Sequence, residues 1–193
     1  MFICEENVNS KPVFETPRLT VCTAALDDVE LFLRLWTDPQ VMTNVGFPKG
    51  LPITRDEIER TICARGESEF EQLLVVIRKD NGESIGECAM RPPDENGIAS
   101  TDVKLLPKYW GNKYGVEIKR GLLGYLFEHT DCRAVEATPN VDNTASIRMQ
   151  EAVGGIRMEE RTHRFPESMQ GYTTPVHFYV YRVMREDWLA GRK

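Results

Sequence analysis

The sequence predicts a single domain of the mixed α/β class, and three observations lead to that prediction. Its 193 residues, 41% of them hydrophobic, suit one globular domain with a substantial core. Segments with strand-like alternation are interspersed with segments whose apolar residues recur at helical spacing. The stretch from Ile98 to His129 reads as a strand, a glycine turn and a helix, and Arg133–Thr138 reads as the next strand. Two strands connected in this way are expected to be parallel neighbours joined by a right-handed crossover.

The first part of the chain is expected to contain a leader, a strand and two helices. Residues 1–13 are predicted to be a flexible leader, so that one domain occupies residues 14–193, with Arg18–Thr23 as a strand. Two helices follow, one capped by Asp27 and Asp28 and ending near Trp36, the other starting at the capping-box spacing of Thr54 and Glu57. The segment Thr37–Pro52 between them carries three prolines and two glycines and is predicted to be a loop.

The remaining elements follow from turn residues and alternation. Asp80-Asn81-Gly82 is a strong hairpin signal between two apolar runs. Gly154 is placed to stop a helix that begins at Asn143. Strands are predicted at Leu73–Arg78, Ser84–Met90, Ile156–Arg164 and Val176–Met184. A helix is predicted at Asn143–Val153, and a short or frayed helix at Arg185–Lys193.

Composition and charge exclude several classes of protein. No apolar run approaches the roughly 18–20 residues of a membrane span, and Met1–Lys11 lacks the basic and apolar regions of a secretory signal. Five scattered cysteines without a C-x-x-C pair suggest reduced thiols in a cytoplasmic protein. The three histidines have no metal-ligand spacing, so no metal is expected. A net charge of −6 without a basic stripe argues against direct nucleic-acid binding.

The turn between the Ile98 strand and its helix predicts an anion site. Gly111 and Gly115 flank a short polar turn that opens directly into the helix. Unpaired N–H groups and the positive end of the helix dipole would meet there, which suits a phosphate. The glycine spacing does not match the dinucleotide-binding fingerprint, and no Gly-Lys-Ser/Thr of a Walker A loop is present.

Three motifs resemble the GNAT acetyltransferase superfamily, and within it the RimJ/RimL-like branch. Tyr109–Glu117 (YWGNKYGVE) resembles the acetyl-CoA pyrophosphate loop of that branch, which typically reads WGKGYATEA. Glu15–Leu19 (ETPRL) is similar to the start of its first strand. Asn140–Ser146 (NVDNTAS), followed by EAVGG, is similar to its asparagine–serine helix and the turn after it.

The resemblance implies a fold and a co-substrate. The fold is a single twisted, mostly antiparallel sheet of about seven strands, with flanking helices and a parallel, splayed central pair. Acetyl-CoA would lie between the splayed strands, with main-chain groups near Val103 and Leu105 pairing with its pantetheine arm. A backbone N–H of that strand would face the thioester carbonyl. The pyrophosphate would be held by the loop residues Gly111, Asn112, Lys113, Tyr114, Gly115 and Val116.

Lys113 departs from the family pattern. Glycine is usual at that position of the loop, and a side chain there is expected either to crowd the pyrophosphate, or to require a strained dihedral angle, or to pair its ammonium with the phosphates.

The resemblance also assigns roles to two residues of the later helix. Asn143 would contact the pantetheine arm, and Ser146 would hydrogen-bond or protonate the departing sulfur. Asn143 is equally a preferred helix cap.

The general base is not fixed by sequence. Many family members carry a glutamate where this chain has Ser100. Asp102 in the same strand is our first choice, with Glu87 and Glu136 on neighbouring strands as alternatives.

The sequence therefore predicts an acetyl-CoA-dependent N-acetyltransferase that acts by direct attack in a ternary complex. The acceptor is expected to be a primary amine, either a protein N-terminal α-amine or a small molecule. A monomer or homodimer is expected, with no nucleic-acid or membrane partner. The alternative is a non-catalytic acyl-CoA-binding or interaction protein of the same fold, which Lys113 and the missing glutamate favour.

Overall fold

The computed structural model describes residues 10–64, 68, 70 and 72–191, and within them the chain forms one eight-stranded sheet flanked by helices. The strands are β1 (Pro12–Glu15), β2 (Leu19–Thr23), β3 (Leu74–Arg78), β4 (Ser84–Arg91), β5 (Ile98–Leu105), β6 (Ala134–Ala137), β7 (Ile156–His163) and β8 (Val176–Met184). The helices are α1 (Val29–Trp36), α2 (Pro39–Met42), α3 (Arg55–Cys63), α4 (Tyr114–His129), α5 (Thr144–Glu151) and α6 (Arg185–Ala190). The mixed α/β class is confirmed.

The sheet has the order β1-β2-β3-β4-β5-β6-β8-β7, and β5–β6 is its parallel pair. Their pairing runs from Ile98–Ala134 to Ser100–Glu136, whereas β5 continues to Leu105. The two strands therefore diverge beyond Ser100 and leave a V-shaped cleft between them. The predicted splayed pair at the centre of a mostly antiparallel sheet is confirmed.

Helices cover the two faces of the sheet in the region of the cleft. Because side chains alternate along a strand, Ser100, Asp102 and Lys104 share one face of β5 and Thr101 and Val103 the other. The first face lies under α1, whose Trp36 Nε1 donates to Glu87 of β4; we call it the α1 face. The second lies under α4, whose Lys119 contacts Thr101, and we call it the α4 face.

The core lies between the sheet and these helices. It includes fully buried side chains from α1, α3 and α4, and the α1–α3 pair packs together over β4. The buried helical residues with little or no exposure are Phe32, Leu35, Ile58, Ile62, Ile118, Leu122, Leu123 and Leu126. The capping box that predicts α3 is present, since Thr54 and Glu57 bond to each other's backbone N–H groups.

The structure differs from the sequence prediction most clearly at β1, α4 and α2. The structure has β1, which begins inside the predicted leader at Pro12, so the sheet has eight strands rather than about seven. Residues 1–9 of that leader lie outside the described residues. The helix α4 begins at Tyr114 within the predicted turn. The predicted loop Thr37–Pro52 contains the one-turn helix α2, which Asp38 caps by accepting a hydrogen bond from the Gln40 N–H.

The Thr37–Pro52 segment lies against the β7–β8 connection. The rings of Phe47 and Phe165 meet edge-on with centroids 5.2 Å apart, and the Thr174 N–H donates to the Gly46 carbonyl at 2.9 Å. Asn140, after β6, donates to the Asn44 carbonyl at 3.2 Å. These contacts bring the Thr37–Pro52 segment and the β7–β8 connection to the carboxyl end of β6. None of the helices in the described ranges is long and apolar enough to cross a membrane.

Candidate active site

The main chain of β5 lines one side of the cleft. The Leu106 N–H donates to the Ile85 carbonyl of β4 at 3.0 Å. Because main-chain groups point alternately to the two edges of a strand, those of Val103 and Leu105 point toward β6. Both residues lie beyond the last β5–β6 pair. The Leu105 carbonyl accepts from the Trp110 indole N–H at 2.9 Å, so the Val103 N–H and carbonyl are the groups best placed for a ligand in the cleft.

The predicted phosphate loop lies at the mouth of this cleft. Gly111 has φ 78° and Lys113 has φ 63°, and α4 starts directly after them. The N–H groups of Tyr114, Gly115 and Val116 belong to the first turn of α4, where no intrahelical acceptor exists. The loop therefore presents N–H donors and a positive helix end to an anion.

Glycine at position 115 is also explained by helix packing. A Cβ at Gly115 would lie 3.0 Å from Met149 Sδ of α5, which is tighter than an ordinary contact. This glycine lets α4 and α5 approach each other. At Gly111, by contrast, a Cβ would meet nothing within 4 Å, and its positive φ explains the glycine.

Lys113 adopts the strained dihedral angle that the sequence suggests. It is the one non-glycine residue with positive φ in the described part of the chain. A left-handed conformation costs a residue with a Cβ roughly 1–2 kcal/mol. Its side chain is exposed beside the N-terminus of α4, where its charge adds to the positive end of the helix.

Substitution Lys113→Gly is expected to raise the free energy of unfolding by about 0.5–1 kcal/mol, because relief of strain exceeds the added flexibility of the unfolded chain. We expect the same variant to bind acetyl-CoA several-fold more weakly, since an ammonium is lost from the predicted phosphate loop. Thermal unfolding and calorimetry measure the two effects. Lys49→Gly, at an exposed lysine without positive φ, is the control and should not gain stability. A lower melting temperature for Lys113→Gly would contradict the claim that the positive φ of Lys113 strains the folded protein.

An interaction that sequence reasoning missed anchors the loop to the start of β2. The Glu117 carboxylate accepts from the Thr16 hydroxyl at 2.6 Å, from the Arg18 N–H at 2.9 Å and from Arg18 Nε at 2.6 Å. The Arg18 guanidinium also donates to the Asn112 carbonyl at 3.2 Å and lies 4.4 Å from the centre of the Tyr114 ring. We call this set the Arg18–Glu117 clamp. Partial burial opposes ionisation of Glu117, but the Thr16 and Arg18 donors outweigh it and lower its pKa.

Asn143 and Ser146 lie at the start of α5, which follows the carboxyl end of β6. Asn143 Oδ1 accepts from the Ser146 N–H at 3.0 Å, so Asn143 is the helix cap. Through Met149, α5 packs beside Gly115 of the phosphate loop. Because the carboxyl ends of parallel strands meet at one edge of a sheet, Asn143 and Ser146 lie on the β6 side of the cleft and the loop on the β5 side.

A charged group occupies the α1 face of β4 and β5. Lys104 pairs with both Asp102 and Glu87, and its Nζ lies 3.2 Å from Glu87 Oε1. Glu87 is buried, and its carboxylate also accepts from Trp36 Nε1 at 2.7 Å. Burial raises the pKa of Glu87 despite these partners. Loss of solvation disfavours ionisation of Asp102 as well, but Lys104 outweighs it and lowers the pKa of Asp102.

Asp102 and Glu136, the predicted bases besides Glu87, differ from it in exposure and in partner. The Asp102 side chain is 55% exposed, so Asp102 rather than Glu87 is the carboxylate beside Lys104 that is open to solvent. Glu136 pairs with Arg182 at 2.8 Å, on the same face as Ser100. Among the described residues, no group of three or more His, Cys, Asp or Glu side chains is placed to hold a metal ion.

The structure thus gathers most of the predicted site residues around one cleft. Val103 and Leu105 line it, Gly111–Val116 close its mouth, and Asn143 and Ser146 lie opposite. Asp102 lies on the α1 face beside the point where the strands part. Arg18 and Glu117 were not predicted to act there, although both fall within the motifs that carry the resemblance.

Known proteins resemble this chain in sequence. Residues 18–156 match the family model described as an acetyltransferase (GNAT) domain. The uncharacterized N-acetyltransferase p20 of Bacillus licheniformis is 27% identical over 137 residues, 69% of this chain and 76% of that protein. The FsC-acetyl coenzyme A-N(2)-transacetylase of Aspergillus fumigatus is 26% identical over 199 residues, 96% of this chain and 82% of that protein.

Solved structures share the fold at lower identity. The spermidine N-acetyltransferase of Vibrio cholerae, in complex with CoA and spermine, has a TM-score of 0.74 at 16% identity, covering 89% of this chain and 98% of that one. A GNAT-family acetyltransferase from Bacillus anthracis has a TM-score of 0.73 at 20% identity, with the same coverage of 89% and 98%. The family model spans well over half of the sequence, and the chain belongs to the GNAT acetyltransferase family.

Proposed function

We propose that the protein is an acetyl-CoA-dependent N-acetyltransferase that transfers the acetyl group directly to a primary amine. The cleft between β5 and β6, with the N-terminus of α4 at its mouth, is the observation that carries this proposal. It offers main-chain groups to a pantetheine arm and N–H donors to a pyrophosphate. Acetyl-CoA supplies a thioester, an acyl donor that is reactive toward amines.

The cleft residues fit this co-substrate. The Val103 carbonyl and the Leu105 N–H would pair with the pantetheine arm. Residues Gly111–Val116 would hold the pyrophosphate, and the Lys113 ammonium would add charge there. The Asn143 amide group would reach the pantetheine arm from the β6 side, because its oxygen already caps α5.

Three groups would act during transfer. The Val103 N–H donates to the oxygen that becomes negative as the amine attacks, which is where a fixed donor accelerates acyl transfer most. Asp102 accepts the proton that the attacking amine loses, directly or through water. The Ser146 hydroxyl donates to the departing sulfur, which leaves as free CoA.

Asp102 remains our first choice as the base because of its access to solvent. Glu87 has the raised pKa that suits a base, but its side chain is buried and bonded to Trp36 Nε1. We assign Glu87 to fixing Lys104, which in turn orients Asp102. An α-amine loses its proton more easily than an alkyl amine, with pKa values of about 7.7–8.0 against about 10.4, and so suits a base of lowered pKa.

The acceptor is proposed as a class rather than as one molecule. The RimJ/RimL-like motifs favour a protein N-terminal α-amine. The spermidine N-acetyltransferase of similar fold, solved with spermine, illustrates a small-molecule amine on this architecture. Both contain a primary amine, which is the common requirement.

Turnover tests the proposal. Release of CoA from acetyl-CoA is measured with N-terminal peptides, polyamines and amino-acid derivatives as acceptors. Asp102→Asn is expected to lower kcat by about 100-fold, in the range for loss of a general base, with little change in acetyl-CoA affinity. Ser146→Ala is expected to lower turnover more than binding.

The controls separate the roles. Glu87→Gln should lower turnover less than Asp102→Asn if Asp102 is the base, and the reverse order would move the base to Glu87. Tight acetyl-CoA binding without CoA release from any amine would favour a non-catalytic acyl-CoA-binding protein instead.

A further inference from the structure

A polar cavity of about 430 Å³ lies on the α1 face, next to the point where the strands part. Its floor is one row of residues across four strands. Arg91 of β4 pairs with Ser100 of β5, Ser100 pairs with Glu136 of β6, and Glu136 pairs with Arg182 of β8. Residues paired in register share a face of the sheet, so these four side chains belong to the same surface. Arg161 of β7 and Asp94 of the β4–β5 turn complete the cavity wall.

One of the arginines that line the cavity has no carboxylate partner among the described residues. Three arginines line it, and its two carboxylates are already engaged. Glu136 pairs with Arg182 at 2.8 Å, and Asp94 accepts from the N–H groups of Asn96 and Ile98 at 2.9 Å each. Arg161 shares its charge with Glu159. Arg91 is exposed and makes no ion pair within the described parts of the chain.

The cavity is also close to the proposed reaction centre. Ser100, on its floor, is the last residue of β5 that pairs with β6. Asp102 follows two residues later on the same face, and that spacing corresponds to about 7 Å along a strand. One molecule of modest size can therefore contact Asp102 at one end and the arginines at the other.

Resting on the proposed N-acetyltransferase function, we infer that the acceptor is an amine that also carries an anionic group, a carboxylate or a phosphate, separated from its nitrogen by a short chain. Arg91 binds that group, because the flat guanidinium donates two parallel hydrogen bonds to such oxygens. The amine end lies at Asp102. Asp102 thus recognises the amine end of the acceptor, and Arg91 recognises its anionic end. A polyamine has no anionic end and would not be preferred.

Matched acceptors test this inference. The value of kcat/KM is measured by CoA release with 5-aminopentanoate, with its amide and with an aminoalkyl phosphate of similar length. The acid or the phosphate is expected to exceed the amide by about 10-fold or more, as a charge-assisted hydrogen bond implies. Whichever of the two is preferred identifies the anion. Equal values for all three would overturn the inference.

Two variants test whether the preference for the acid over the amide arises from the cavity. Arg91→Gln should reduce the ratio of acid to amide to about 1. Arg34→Gln, at an exposed arginine of α1 outside the cavity, should leave the ratio as in the wild type. A ratio unchanged by Arg91→Gln would contradict the role of Arg91. Thermal unfolding confirms that both variants fold.

Failure of the transferase proposal is distinguishable from failure of this inference. If acetyl-CoA binds and no amine releases CoA, the proposed function fails. Calorimetry then tests whether the cavity binds an anion. The CoA-bound protein is titrated with 5-aminopentanoate and with its amide. Tighter binding of the acid that is lost in Arg91→Gln supports an anion site, and equal binding of the two overturns it.

Discussion

Substitution Lys119→Met is expected to stabilise the protein by about 2–4 kcal/mol at pH 7, in the range found when buried charges are replaced by apolar side chains. Lys119 is 1% exposed, and its ammonium has the Thr101 hydroxyl as hydrogen-bond partner. It makes no ion pair with any described residue. Burial lowers the pKa of Lys119 to about 7, although the negative charge of Asp102 opposes this. Methionine keeps most of the shape and removes the cost of burying a charge.

The pH dependence of this stabilisation has a defined sign. Between pH 7 and about 10.4 the unfolded lysine binds a proton that the folded one has released, so wild-type stability gains from Lys119 as pH rises. Below pH 7 both states are charged, and the full cost of burial is present. The advantage of Lys119→Met is therefore largest at pH 6 and shrinks toward pH 10.

Denaturant unfolding at pH 6, 8 and 9.5 measures this difference in the free energy of unfolding. Lys49→Met, at an exposed lysine, is the matched control and should change stability little at any of the three values. A destabilised Lys119→Met variant, or an advantage independent of pH, would show that the Lys119 ammonium is compensated in the folded protein.

The second large effect is expected at the Arg18–Glu117 clamp. Glu117→Ala removes three hydrogen bonds, those from the Thr16 hydroxyl, the Arg18 N–H and Arg18 Nε, which should cost about 1–3 kcal/mol of stability. The loop also loses support at Asn112, whose carbonyl holds the Arg18 guanidinium. We therefore expect the Kd for acetyl-CoA to rise at least tenfold, which corresponds to about 1.4 kcal/mol.

Calorimetry and thermal unfolding measure the two consequences. Because the clamp acts on the phosphate loop, binding of S-acetylpantetheine, which lacks the pyrophosphate, should weaken much less than that of acetyl-CoA. Glu95→Gln, in the exposed β4–β5 turn, is the control and should alter neither affinity nor stability appreciably. Equal weakening of both ligands by Glu117→Ala would mean that the clamp supports the whole fold rather than the loop.

The sequence predicts elements whose signals are local. The capping box at Thr54, the hairpin at Gly82 and the stop at Gly154 each depend on residues within a few positions, and all three are present. The elements that were missed are short. The strand β1 has four residues and is held by pairing with β2, while α2 is a single turn fixed by the Asp38 cap.

The site residues that were predicted carry local signals, either a motif or alternation along one strand, whereas contacts between strands were not predictable. Asp102 and Lys104 are two residues apart and so share a face, but the contact of Lys104 with Glu87 depends on the β4–β5 register. The cavity row likewise joins four strands through three registers. The burial of Lys119 had a local signal, since it stands on the same side of α4 as the buried Leu122, Leu123 and Leu126.

Calorimetric titration of the purified protein with acetyl-CoA tests most directly whether the β5–β6 cleft is an acyl-CoA site. NADH serves as the comparison because it also carries a pyrophosphate but lacks the pantetheine arm. Saturable binding of acetyl-CoA without binding of NADH is the predicted result. Absence of acetyl-CoA binding, or equal binding of NADH, would contradict the site and with it the proposed transferase.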